Sequence, residues 1–179
     1  TASEPEMSRA LIALFSFMQG KELAGQERAT GSAGFAAGEF TAEQRQRIQM
    51  LIAAQEQSFA TFSQFADAHN QQQWLLMADA DSQIERLRRI ACTGAQCGEN
   101  GVLQWFTLLS QRLDQMKQIE DGLCSTLMAC CQRAIAVSEQ AEPQHLTIND
   151  DASFSLYVAG ASWLGEQEMT LDSNGLAPQ

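Results

Sequence analysis

The chain has 179 residues, of which 45% are hydrophobic and three are proline. That is enough to bury a core, and it excludes wholesale disorder. Acidic residues outnumber basic ones 22 to 11, for a net charge of -11. This balance excludes a generic phosphate-backbone binder, so no direct nucleic-acid contact is expected of the segment. No run of about 18 apolar residues is present, so no membrane partner is expected. The opening Thr1-Ala2-Ser3-Glu4-Pro5 lacks both Met and a basic leader. It reads as a fragment or a processed product without a signal peptide.

The first predicted helix opens on a capping box, with Ser3 as N-cap, Glu6 three residues on, and Pro5 tolerated in the first turn. Met7, Leu11, Leu14 and Met18 recur at helical spacing. The same seam continues through Gly25, Arg28, Ser32 and Phe35 to a C-cap at Gly38. Glycines at 20, 25, 31, 34 and 38 crowd the second half of this helix. Each weakens a helix by about 1 kcal/mol against alanine, so their density points to close approach by a neighbouring backbone or a ligand. A second capping box, Thr41 with Gln44, opens helix two. Its seam is Ile48, Ile52, Gln55, Phe59 and Phe62, running to about Asp67. The short link at 38–40 makes the first two helices antiparallel neighbours.

A polar patch at His69-Asn70-Gln71 precedes a third helical region from about Gln72, with a weak break at Asp79-Ala80-Asp81. Ile84, Leu87 and Ala91 mark its inner face. Residues 93–101 hold three glycines and read as a loop. The fourth helix, from about Gly101 to Ala141, is roughly 60 Å long at 1.5 Å per residue. Its predicted seam is Val102, Phe106, Leu109, Leu113, Met116, Glu120, Leu123, Leu127 and Cys130, with Glu120 as the one polar intrusion. Such a length suits a long bundle or a coiled-coil-like contact, a second copy of the chain included. Past Pro143 the pattern stops, and 143–179 is expected to be an irregular tail or linker.

Catalytic motifs are missing. No Gly-rich phosphate loop, GxSxG elbow or HExxH helix occurs. Two histidines near helix ends do not assemble a nucleophile, base and orienter, so no enzyme is expected. The five cysteines lack the paired spacing of a zinc site and read as reduced thiols of a cytoplasmic protein. Their spacing permits a Cys92–Cys97 disulfide without demanding one. Glu142 and His145 have the Glu-x-x-His spacing of a di-iron bundle, but Pro143 intervenes and no second copy exists. No metal and no cofactor are expected.

Arg28 stands out. It falls on the continuation of the apolar seam, among Ala24, Gly25, Gly31 and Ser32. An inward guanidinium keeps its charge and needs a partner. That partner is either a carboxylate, with Glu120 on the facing helix as one candidate, or a bound anion. The planar fork of arginine matches a planar oxyanion with two parallel hydrogen bonds. In the run Arg86-Leu87-Arg88-Arg89, Arg88 lies closest to the inner face, as a second candidate.

The segment Lys21-Glu22-Leu23-Ala24-Gly25-Gln26-Glu27-Arg28-Ala29-Thr30-Gly31, then Gly34-Phe35-Ala36-Ala37-Gly38 and the Gln-rich second helix through Phe62, resembles the nitrate- and nitrite-sensing domain family. The resemblance is clear over about residues 10–66 and extends to about 141. It implies an all-helical bundle that binds nitrate or nitrite through arginines, and it implies that Arg28 is a ligand arginine. Arg88 is the second carry-over, with Arg86 and Arg89 open as alternative matches. The resemblance further implies an earlier helical portion with its own arginine motif, before this chain begins. An RNA-binding antitermination output would lie outside the segment, since 143–179 does not resemble one.

The expected fold is therefore all-α, an antiparallel bundle of four main helices over residues 1–142 followed by the irregular tail. The expected function is a signal-input domain in which nitrate or nitrite bridges arginines on different helices. The anion favours one packing and so controls an attached output. The competing expectation is a structural or dimerising bundle without a ligand, in which Arg28 pairs with a carboxylate.

Overall fold

The computed structural model describes residues 3–78, 82–95, 98 and 100–140. The expected tail at 143–179, the Glu142/His145 pair and Cys97 lie outside the described residues. The chain folds into α1 (Ser3–Ala37), α2 (Ala42–Phe65), α3 (Ala68–Ala78), α4 (Ser82–Thr93) and α5 (Gly101–Gln140), with no strand among the described residues. The helices through Ile135 form one compact unit. Among the described residues no helix is long and apolar enough to cross a membrane.

Local chemistry sets the boundaries. α1 ends at Gly38, which takes φ +76° and donates its N–H to the Phe35 carbonyl at 3.3 Å. The left-handed C-cap conformation favours glycine there. The capping box of α2 is complete: Thr41 Oγ1 accepts from Gln44 N at 3.1 Å, and Gln44 Oε1 accepts from Thr41 N at 3.0 Å. α3 begins earlier than the polar sequence at 69–71 predicts, because Asp67 caps it. Its carboxylate accepts from Asn70 N at 3.0 Å and from Asn70 Nδ2 at 2.6 Å. Burial pushes the Asp67 carboxyl up, but hydrogen bonds from Asn70 and Thr126 outweigh it and hold the group below its ordinary value.

The bundle has four positions filled by five helices. α1 and α2 run antiparallel: Arg9 bonds the Gln64 carbonyl near one end, and Phe35 meets Phe40 at the other. α5 also runs antiparallel to α1, pairing Glu6 with Arg133 and Arg28 with Ser110. α3 and α4 follow one another along the remaining position. Asn70 bonds Thr126 far along α5, while Ile84, Leu87 and Ala91 pack with Trp105 and Leu109 near its start. The predicted third helix is thus two helices in succession.

Two apolar clusters fill the bundle. One gathers Phe17, Phe59, Phe62, Met77, Met116 and Leu123, with Trp74 packed against it. Phe17 meets Phe59, Phe62 and Trp74 edge-on, with ring centroids 5.5, 4.9 and 5.7 Å away. The other gathers Phe35, Phe40, Ile48, Ile84, Leu87, Trp105 and Leu109. The α1 glycines serve these rings. A Cβ at Gly20 would collide with Phe59, at Gly31 with Trp105, and at Gly34 with Phe40. The close neighbours anticipated from the glycine density are therefore aromatic side chains.

The inner faces of α1 and α5 are rotated from the predicted seams. α1 buries Ala10, Ala13, Leu14, Phe17, Ala24, Glu27 and Phe35, while Met18 is exposed. α5 buries Trp105, Leu109, Arg112, Met116, Ile119, Glu120, Leu123 and Cys130, while Phe106 is exposed. On α1 the inward residues are mostly Ala and Gly, whose weak hydropathy is masked by larger apolar neighbours. On α5, Trp105 beside Phe106 leaves the phase ambiguous, and at the next turn the inward residue is the charged Arg112 while its neighbour Leu113 is apolar, so the pattern favours the neighbouring phase.

Candidate functional site

Between the two apolar clusters lies a polar layer. α1 contributes Glu27, α2 Gln55, α4 Arg88 and α5 Arg112, and all four are buried. Helical side chains lean towards the N-terminus of their helix. Arg88 accordingly reaches back out of the Leu87/Ala91 cluster into this layer.

Glu27 is 0% exposed. Its Oε1 accepts from Arg88 Nε at 2.7 Å and its Oε2 from Arg88 Nη2 at 2.8 Å, a two-point fork. Gln55 Nε2 donates to Oε2 at 2.7 Å. Arg88 Nη1 donates to Glu85 at 2.8 Å, towards solvent. Burial lowers the proton affinity of Arg88, but Glu27 and then Glu85 more than restore it. Removing either member of the buried pair strands the other charge away from water. On α5, burial pulls the Arg112 guanidinium below its ordinary value, opposed by the charge of Glu27. Arg112 lies over the Trp74 ring, 6.0 Å from its centroid.

A cavity of about 290 Å³ opens beside this layer, lined by Arg88, Arg112, Gln55, Ser63, Phe59 and Trp74 among others. A larger cavity, about 450 Å³, is lined by His69, Asn70, Gln73, Gln115 and Gln118 and by no arginine or lysine. Only the first offers the fixed positive charge that a small anion needs. Among the described residues, no group of His, Cys, Asp or Glu is placed to hold a metal ion.

Arg28 is not in the layer. Successive helical residues turn by about 100°, so with Glu27 on the bundle axis Arg28 falls on the flank facing α5. It is half-buried. Its Nη1 donates to Ser110 Oγ at 2.9 Å, and its guanidinium lies 5.1 Å from the Phe106 ring centroid. Its backbone carbonyl accepts from Trp105 Nε1 at 2.9 Å. Among the described residues no carboxylate stands within ion-pair distance of it. Glu120, its candidate partner from sequence, instead meets Lys21 and, at 3.1 Å, Lys117. Burial pushes the Glu120 carboxyl up, and the two lysines outweigh it. The structure brings Arg88 together with Arg112, not with Arg28. Arg86 and Arg89, the alternatives to Arg88, are exposed on α4.

Comparison with known proteins settles what kind of bundle this is. A family model described as nitrate and nitrite sensing matches residues 1–128. The chain belongs to the nitrate and nitrite sensing family. The nitrate regulatory protein of Klebsiella oxytoca is 39% identical to it over 143 residues, which is 79% of this chain and 35% of that protein. The solved structure of the NasR transcription antiterminator superposes with a TM-score of 0.67 at 37% identity, covering 77% of this chain and 40% of that one. The chain thus spans well under half the length of these relatives.

In this member of the nitrate and nitrite sensing family, sequence reasoning selects Arg28 and Arg88 and places Gln55 only on the inner seam of α2, and it misses Glu27 and Arg112. The signal for both was spacing. Glu27 continues the Ala10, Phe17, Ala24 register, and Arg112 continues Trp105, Leu109, Met116. A charge at a seam position is the mark of a buried pair.

Proposed function

We propose that this chain is the sensing portion of a regulator, in which nitrate or nitrite binds at arginines of the helical bundle and controls an attached output acting in transcription antitermination. Arg28 and Arg88 are the proposed ligand residues. The observation that carries this reading is the environment of Arg28. Its guanidinium is half-buried against a hydroxyl and a ring, with no carboxylate to neutralise it among the described residues. A guanidinium has five N–H donors, and the single bond to Ser110 leaves capacity for a planar oxyanion.

Arg88 enters differently. Its fork already holds the carboxylate of Glu27, a planar two-oxygen acceptor of the same kind as nitrate. An anion reaching Arg88 competes with Glu27, and yielding that position loosens α1 from α4. Such differential contact is what a ligand needs to shift one packing towards another. The long helices α1 and α5 would carry the shift outward. The closed Arg88–Glu27 pair also supports a purely structural role for Arg88 when no anion is bound.

The test is nitrate-dependent transcriptional readthrough by the full-length protein. Arg28→Ala is expected to abolish the nitrate response while helical circular dichroism is retained. Arg28→Lys is expected to weaken it, because a point charge replaces the planar fork. A full response in Arg28→Ala would remove Arg28 from the site.

A further inference from the structure

We infer that Ser110 on α5 is a direct ligand of the anion at Arg28, so that the bound anion bridges α1 and α5 through one guanidinium and one hydroxyl. The inference rests on the reading of Arg28 as a ligand residue and adds a second ligand group to it.

Serines and threonines inside helices commonly spend their hydroxyl proton on the carbonyl four residues back. Ser32 does so to Arg28 at 2.8 Å, Ser58 to Ala54 at 3.0 Å, Ser63 to Phe59 at 2.9 Å and Ser125 to Asp121 at 2.9 Å. Thr30, Thr61 and Thr93 do the same. Ser110 breaks the pattern. Its Oγ accepts from Arg28 Nη1 at 2.9 Å, and its own proton has no acceptor among the described residues. A hydroxyl carries one donor and two acceptor lone pairs, so the bond from Arg28 leaves the donor intact. Other donors around Arg28 are committed. Ser32 Oγ and Trp105 Nε1 both end on its backbone carbonyl, and Lys21, earlier on the same flank of α1, is paired with Glu120. The Arg28 guanidinium and the Ser110 hydroxyl therefore stand side by side with donors to spare. Nitrate and nitrite hold their oxygens in one rigid plane, so one oxygen can accept from the remaining guanidinium N–H groups while its neighbour accepts from Ser110. Phe106, its ring centroid 5.1 Å from the guanidinium, lies against one face of it and leaves the edge for the ligand. One turn before Arg28, a Cβ on Gly25 would meet nothing within 4 Å, so this flank of α1 has room for a small ion. Because Arg28 and Ser110 stand on different helices, an anion held by both ties α1 to the 40-residue α5.

The experiment records infrared difference spectra of isotope-labelled nitrate on the full-length protein, with affinities from calorimetric titration with sodium nitrate. The antisymmetric N–O stretch of free nitrate is degenerate and splits when its oxygens are held unequally, so the splitting reads the contacts of the bound ion. Ser110→Ala is expected to weaken nitrate binding about tenfold, the loss of one hydrogen bond to a charged group. It is also expected to change the splitting at saturating nitrate, and Ser110→Thr, which keeps the hydroxyl, is expected to restore both. Weaker binding with an unchanged splitting would make Ser110 a prop that holds Arg28 in place, and would overturn its role as a ligand. Unchanged affinity and splitting in Ser110→Ala, with binding lost in Arg28→Ala, would overturn the inference and leave the sensing proposal standing. No saturable binding of nitrate or nitrite by the unsubstituted protein would overturn the sensing proposal and this inference with it.

Discussion

Arg88 and Glu27 stabilise the bundle only together. Each is a charge removed from water, and the fork at 2.7 and 2.8 Å offsets both desolvation penalties at once. Glu27→Ala or Arg88→Ala is therefore expected to lower unfolding stability by about 3–5 kcal/mol. The double variant Glu27→Leu/Arg88→Met should lose much less than the sum of the two. Urea denaturation of the three proteins checks this, and additive losses would mean that the fork is not a unit. Of this layer, Gln55 was legible, since a lone amide interrupts an otherwise apolar seam of large residues. Glu27 was not legible, because its seam neighbours are Ala and Gly and the eye follows Leu and Met instead. That same displacement by one residue put Arg28 on the axis, where the structure has Glu27.

At the level of the helix, α1 shows what its glycines are for. Gly31 abuts the fully buried Trp105 ring, whereas a Cβ at Gly25 would meet nothing within 4 Å. Gly25→Ala is expected to raise stability by about 0.5–1 kcal/mol, through helix propensity alone. Gly31→Ala is expected to lower it by about 1–3 kcal/mol, because Trp105 must move and its bond to the Arg28 carbonyl is disturbed. Thermal unfolding of the two variants should shift in opposite directions, and a stabilised Gly31→Ala would show that the ring yields freely. The capping box of α2 and the Gly38 stop were readable because each is a local signal. The start of α3 was not, since Asp67 caps a segment whose own residues are polar. The phase of α5 was misled where Phe106 rivals Trp105 and where the inward residue is the charged Arg112 beside Leu113.

For the whole molecule, acid is the informative variable. Asp67 and Glu120 both titrate below their ordinary values, burial being outweighed by hydrogen bonds for the first and by two lysines for the second. A depressed folded-state pKa contributes stability that is fully present above the unfolded value, near pH 4, and is lost as pH falls through the folded value. The melting temperature is expected to drop steadily below about pH 4. Asp67→Asn and Glu120→Gln should flatten that slope while lowering the plateau at neutral pH, and an unchanged slope in both would rule out these groups as its source. The all-helical architecture and the antiparallel pairing were legible from capping, link length and periodicity, which are properties of sequence neighbours. The convergence of Arg88 with Arg112 was not, because it depends on the rotation of two helices about their own axes. The sensing proposal holds that arginines in this bundle recognise a small planar anion, with Arg28 as a ligand residue. Calorimetric titration of the full-length protein with nitrate, nitrite and chloride, beside Arg28→Ala, tests it most directly. Saturable heat with nitrate or nitrite, none with chloride, and at least a tenfold weakening in Arg28→Ala are predicted; equal heats for chloride, or unchanged affinity in the variant, would contradict it.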